Sequence, residues 1–145
     1  MNEPSIDDDE DRRMKGRLNM PTLANCNIKF HTNDDDKDHD THVTVDVTDF
    51  NNVVCAHIDN DFGHFDDQSD NGPFGLQVLN ASNKSDCQRG AVRIRIDPNG
   101  HDTWKFNFTL TLIFDDNSTL SGGAGGLQLN QNNREQTFGL QGILH

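Results

Sequence analysis

Apolar and polar residues alternate with a period of two along most of the chain after residue 25. Val43, Val45 and Val47 alternate with polar residues, and the longest run carries large apolar side chains at every second position from Trp104 to Phe114. Strict alternation of this kind indicates β-strands that bury one face. No segment shows the spacing of an amphipathic helix. The predicted strands cover residues 26–32, 41–48, 53–58, 74–80, 91–97, 104–114, 119–120, 127–129 and 137–144.

These strands predict an all-β protein, specifically an antiparallel two-sheet β-sandwich of about eight strands. Hydrophobic residues make up 32% of the 145-residue chain, which is low, but a sandwich needs only one inward-facing side per sheet. We expect a single domain over residues 26–145. The glycine-rich stretch 121–126 is predicted to be a flexible loop. It is not a phosphate-binding loop, because no Lys-Ser/Thr pair follows it.

Residues 1–25 are predicted to form a charged tail or arm. Their charge changes from acidic at residues 7–11 to basic at residues 12–17, and Ile6 is the only large aliphatic residue before Leu18. Such a segment buries too little surface to order itself, so it is either a solvated tail or an arm that packs on a neighbouring copy in a homo-oligomer. It lacks the apolar stretch of a signal peptide, and no run of the chain is long enough to span a bilayer. We expect synthesis in the cytoplasm, with release by a non-classical route if the protein acts outside the cell.

Charge narrows the function classes. The net charge of −12 disfavours nucleic acid and an anionic membrane approached without cations. It suits cation binding or simple solubility.

Three aspartate-rich stretches, at residues 34–40, 59–70 and 97–102, each lie between predicted strands. In an antiparallel sandwich successive loops alternate between the two ends, so these three loops should meet at one end. Together they could supply the six to eight oxygen ligands that calcium prefers. The candidate ligands are Asp34, Asp36, Asp38, Asp40, Asp61, Asp66, Asp67, Asp97 and Asp102. The alternative is that these loops are solvated turns that keep the protein soluble.

The first acidic loop is not an EF-hand, because it lacks the central glycine and the downstream glutamate. The second carries Phe62, His64 and Phe65 among its aspartates. These side chains are candidate contacts to a membrane or a sugar ring. The alternative is that the phenylalanines close the end of the core.

Seven histidines raise the question of a transition-metal site or an enzyme. His64 and His101 should share the acidic end with the aspartates, but no known zinc or iron spacing is present. Cys26, Cys55 and Cys87 show no zinc pattern, and they suit buried thiols or one disulfide.

Residues 90–114 resemble the core of PLAT (lipoxygenase-homology) domains. The resemblance rests on Gly90, the strand Val-Arg-Ile-Arg-Ile-Asp at 92–97, the Asn99-Gly100 turn and Trp104 at the start of the next strand. PLAT domains are eight-stranded sandwiches that bind lipid surfaces or partner proteins, often with calcium at the loop end. The resemblance implies that Asp34, Asp36, Asp40 and Asp97 lie near that site, and that calcium lets Phe62 or Phe65 approach a membrane. Residues 28–47 are similar in style to the opening of these domains, so the resemblance covers about half the chain. The second half of the loop between residues 58 and 74 does not match, and the tail and the glycine-rich stretch have no counterpart.

The leading hypothesis is a non-enzymatic, calcium-responsive module that binds lipid, glycan or a protein partner. The alternatives are a structural or assembly subunit that uses residues 1–25 for self-association, and a small metal-dependent enzyme that uses the histidines. Calcium is the only cofactor expected under the leading hypothesis.

Overall fold

A computed structural model describes residues 20–145 and contains eight antiparallel strands with one short helix. The predicted all-β class is confirmed. The strands are β1 (Leu23–Asp35), β2 (His42–Thr48), β3 (Val54–Asn60), β4 (Asp70–Val78), β5 (Ala91–Asp97), β6 (Thr103–Phe114), β7 (Thr119–Asn130) and β8 (Glu135–Gly139). The helix α1 (Lys84–Gln88) lies between β4 and β5, and a single 3-10 turn (Leu140–Gly142) follows β8.

The strands hydrogen-bond in one continuous series, in the order β7-β6-β1-β4-β3-β2-β5-β8. β4 joins the two halves of this series: it pairs with β1 through most of its length, and with β3 only at Gln77 and Val78. The two ends of the series also approach each other, because Leu144 at the C-terminus forms a bridge with Gly122 of β7. The sheet is therefore nearly closed around its core.

The core follows the alternation of the sequence. Every second side chain of β6, from Trp104 to Phe114, is at most 3% exposed, and Val43, Val45 and Val47 of β2 are fully buried. Trp104 stacks on Phe106 with ring centroids 3.8 Å apart. Its indole Nε1 donates a hydrogen bond to Thr32 Oγ1 at 3.0 Å, which satisfies its polar group inside the core.

The prediction of a loop at residues 121–126 was wrong, because this glycine-rich stretch is the middle of β7. Glycine is needed there for close approach. A Cβ on Gly122 would overlap the carbonyl oxygen of Ile143, and a Cβ on Gly123 would overlap that of Phe108. The glycines let β7 lie against β6 on one side and the C-terminal residues on the other.

Three other expectations need correction. No helix was predicted, but residues 84–88 form α1, and the side chain of Asn83 caps it by accepting a hydrogen bond from Asp86 N at 2.8 Å. Of the predicted final strand at 137–144, residues 137–139 belong to β8, residues 140–142 form the 3-10 turn, and Leu144 makes an isolated bridge with Gly122. Strand β1 begins at Leu23, three residues before the predicted start. Residues 1–19 of the predicted arm lie outside the described residues.

Within residues 20–145, no helix has the length and apolar character that crossing a membrane requires.

Candidate functional site

The three aspartate-rich loops meet at one end of the sheet, as the alternation of loop ends predicts. The backbones of Lys37 and Phe65 exchange two hydrogen bonds, at 3.1 and 3.0 Å, which join the β1–β2 and β3–β4 loops. Asp38 N donates to Asp102 Oδ2 at 3.1 Å, which joins the β1–β2 and β5–β6 loops. We call this region the acidic end.

Lys37 lies at the centre of the acidic end and is completely buried. Its Nζ donates to the carbonyl oxygens of Asp61 at 2.6 Å, Asp38 at 2.8 Å and Thr41 at 3.2 Å. The Nζ also lies 4.9 Å from the centre of the Phe65 ring. Burial lowers the pKa of Lys37 to about 8, against the opposing effect of the Asp102, Asp61, Asp38 and Asp40 carboxylates. The side chain is therefore mainly charged at neutral pH.

Asp102 is the most deeply buried carboxylate of the three loops, at 8% exposed. Its Oδ2 accepts hydrogen bonds from Thr41 Oγ1 at 2.6 Å and from Asp38 N at 3.1 Å. Its Oδ1 accepts no hydrogen bond from any residue in the described part of the chain. A carboxylate oxygen without a protein donor needs water or a cation as its partner.

Asp36, Asp38 and Asp102 come together into a group, which we call the carboxylate triad. One oxygen from each lies within 4.8 Å of the others. Burial raises the pKa of Asp38, and the neighbouring charges of Asp102, Asp36 and Asp40 raise it further. Among residues 20–145 this is the only group of three or more acidic, histidine or cysteine side chains close enough to share a metal ion.

Three other predicted ligands of the acidic end lie outside the triad and contact other side chains. Asp40 accepts a hydrogen bond from Asn99 at 3.3 Å, and the Asp61 carboxylate lies 2.7 Å from His42 Nδ1. Asp66 lies 3.3 Å from His64 Nδ1.

The remaining predicted ligands are not part of the triad. Asp97 pairs with Arg95 at 3.0 Å and Arg134 at 3.2 Å, and the hydrogen bond from Arg95 is the main reason that its pKa is lowered. Asp34 is 3.9 Å from Lys105. Asp67 is exposed and makes no side-chain hydrogen bond with the described residues.

The aromatic residues of the second loop close the end of the core. Phe65 is 1% exposed and therefore is not a surface contact, which corrects the prediction for this residue. Phe62 is half-buried and packs on Phe74, with ring centroids 4.3 Å apart. His64 is exposed, and its Nε2 lies 2.8 Å from Asp36 Oδ2. The hydrogen bond to Asp36 is the main reason that the pKa of His64 is raised.

The histidines pair with aspartates along the outer surface. Both ring nitrogens of His57 lie 2.6 Å from carboxylates, Nδ1 from Asp46 and Nε2 from Asp59. Asp46 also pairs with Arg93 at 2.6 Å, directly across the β2–β5 ladder. An imidazole between two carboxylates donates from both nitrogens only when it is protonated. Accordingly, the hydrogen bond to Asp46 raises the pKa of His57, and the bond to Asp59 raises it further.

The pKa of His57 predicts a pH-dependent stability difference. Because the pKa of His57 is higher in the folded state, protonation of His57 stabilises the fold. This stabilisation is complete below the ordinary histidine pKa and is lost as the pH rises through the folded-state pKa. We expect His57→Gln to be less stable than the wild type at pH 6, and the difference to shrink toward pH 9. Urea unfolding of both proteins across this range measures it. A difference that is constant with pH contradicts the prediction.

The three cysteines are free and buried. Cys55 Sγ donates to the carbonyl oxygen of Val47 at 3.3 Å. Burial raises the pKa of Cys26 to about 12, so its thiol stays protonated and weakly nucleophilic.

Sequence reasoning missed Lys37 and Thr41, which organise the acidic end from within. The signal was present, since Lys37 is the only lysine or arginine in the stretch 33–40. A basic side chain between Asp36 and Asp38 reduces the repulsion between their carboxylates whether that side chain is buried or exposed to solvent.

No protein-family model matches the chain, and no curated protein sequence matches it. The resemblance to PLAT domains therefore stays a prediction.

Proposed function

We propose that the protein is a non-enzymatic, calcium-responsive binding module, with its cation site at one end of a two-sheet β-sandwich. The carboxylate triad of Asp36, Asp38 and Asp102 is the proposed site. The observation that carries the proposal is the Asp102 carboxylate, which is buried beside two other carboxylates with one oxygen lacking a donor from the described residues.

The donor set favours a hard cation. All three triad residues offer carboxylate oxygens, which suit calcium and magnesium better than zinc or iron. Calcium accepts irregular geometry and six to eight ligands, so water and loop carbonyls can complete its shell. Magnesium requires a near-ideal octahedron, which three side chains from two irregular loops supply less readily.

The partner is proposed to bind through the cation. Asp36 and Asp38 are half-buried, so an ion held by the triad keeps positions open toward solvent. An oxygen-rich group on a lipid headgroup, a glycan or a protein could fill those positions. Insertion of apolar side chains into a membrane receives no support at this end. The exposed large apolar residues of the described chain, Met20, Phe50, Val53 and Leu79, all lie outside the three loops.

Thermal unfolding of chelator-treated protein tests the cation site. Calcium at millimolar concentration should raise Tm by about 4 °C or more, because an ion that binds only the folded state stabilises it. Magnesium and zinc at the same concentration are the controls, and they should raise Tm less. Isothermal titration calorimetry gives the stoichiometry, expected to be one ion per chain.

Absence of a calcium-selective rise contradicts the proposal. The aspartates would then be solubilising loops, and self-association through residues 1–25 would become the leading function. A positive result leads to sedimentation with anionic vesicles and to glycan screening, each with calcium and with chelator.

A further inference from the structure

The ammonium group of Lys37 occupies a cage of main-chain oxygens. A lysine ammonium has three donors, and all three are used by the carbonyls of Asp38, Thr41 and Asp61. The side chain has no exposed surface, so solvent does not share these contacts. Three carbonyl oxygens around one cation are the arrangement by which proteins also bind metal ions.

The cage connects all three loops of the acidic end. The carbonyls of Asp38 and Thr41 belong to the β1–β2 loop, and that of Asp61 belongs to the β3–β4 loop. The β5–β6 loop is attached through Asp102, which accepts hydrogen bonds from Thr41 and from the backbone of Asp38. One buried charge therefore lies where the three acidic segments converge.

The surroundings of the ammonium favour a cation at this position. The Asp102, Asp61, Asp38 and Asp40 carboxylates all stabilise its charge, and the face of the Phe65 ring lies 4.9 Å from Nζ. A neutral side chain would leave three carbonyls without donors and several carboxylates without a counter-charge.

We propose that Lys37 is the resident cation of the acidic end: its ammonium group holds the three loops in place without any metal, and the cage that it vacates in a truncated variant binds a primary alkylammonium ion. The carboxylate triad is then a preformed site rather than one that a metal must assemble. This role does not depend on the proposed function, because it concerns the metal-free protein.

Hydrogen exchange of chelator-treated wild-type protein at pH 7 is the first test. The amides of Lys37, Phe65 and Asp38 cross between the loops. We expect them to exchange at least about 100-fold more slowly than unstructured amides. Exchange at unstructured rates, while the amides of β6 stay protected, overturns the proposal. Failure to bind calcium would leave this result unchanged, so the two proposals fail separately.

Chemical rescue is the second test. Lys37→Ala removes three methylenes and the ammonium group, a fragment that n-propylammonium matches. We expect Lys37→Ala to lose loop protection, and n-propylammonium to restore it and raise Tm with saturation. The neutral isostere n-propanol should not do so. Equal effects of the two additives overturn the proposal.

Lys37→Met separates charge from packing, because methionine fills the space of the lysine stem without an ammonium group. We expect it to lose the same loop protection and to show no response to n-propylammonium. If Lys37→Met keeps wild-type Tm and loop protection, the charge is unnecessary and the proposal is wrong. If Lys37→Ala folds only with n-propylammonium, the expected loss is seen in its strongest form, and failure of Lys37→Ala to fold even with n-propylammonium overturns the proposal.

Discussion

Asp102→Asn is expected to weaken calcium binding by roughly 30- to 100-fold, because calcium affinity follows the number of charged ligands in the site. The substitution keeps the shape of the side chain, and its amide oxygen can still accept the hydrogen bonds from Thr41 Oγ1 and Asp38 N. Because the Asp102 carboxylate also stabilises the Lys37 ammonium, urea unfolding without calcium is measured on both proteins to show that the variant is folded. Calorimetric titration of both proteins in the same buffer measures the difference.

Asp67→Asn is the matched control for this experiment. It makes the same change in net charge at the same end of the molecule, on an exposed residue outside the triad. Salt screens its long-range effect, so its calcium affinity should stay within about twofold of wild type. Equal losses in the two variants would mean that net charge, rather than the triad, attracts the ion. Wild-type affinity in Asp102→Asn would exclude Asp102 as a ligand.

Gly123→Ala is expected to destabilise the fold by roughly 3 kcal/mol or more, because β7 has no room for the added methyl group. The new Cβ would overlap the carbonyl oxygen of Phe108 and lie 2.8 Å from its carbonyl carbon. Both atoms belong to the backbone of β6, which cannot move away without breaking the β6–β7 ladder. Chemical denaturation measures the loss, and failure to accumulate as folded protein is its extreme form.

Gly75→Ala provides the comparison. Gly75 lies in β4, and a Cβ added there meets no atom within 4 Å. We expect the free energy of unfolding to change by about 1 kcal/mol or less, in either direction, because alanine reduces the entropy of the unfolded chain and its Cβ meets no other atom. Similar losses at both positions would show that close approach at Gly123 is not the reason for the glycine.

Much of the fold could be predicted because it depends on local alternation. The six apolar positions from Trp104 to Phe114 share one face of β6 whatever the partner strands are, and they are all buried. The meeting of the acidic loops followed from counting strands, since neighbouring antiparallel strands place alternate loops at opposite ends. Both inferences use the two-residue period of a strand, which is a property of the backbone.

The glycine-rich part of β7 could not be predicted in this way. Glycine is uncommon in strands. It is needed at Gly122 and Gly123 because the backbones of Ile143 and Phe108, which are distant in sequence, approach these positions closely. The same limit applies to Phe65, whose burial depends on Phe30, Phe74 and Trp104 from three different strands.

The choice among nine candidate aspartates likewise depended on long-range contacts. Composition and alternation were sufficient to predict the all-β class and an acidic end. The charge of a residue, and the side of a strand on which it lies, do not depend on contacts with distant residues. Position in the folded chain then separated Asp97, which pairs with Arg95 and Arg134, from Asp102, which is buried beside Asp38. It also brought Lys37 to the carbonyl of Asp61, 24 residues away. Electrostatic interactions act through space, so which charges are neutralised is known only when the loops are in place.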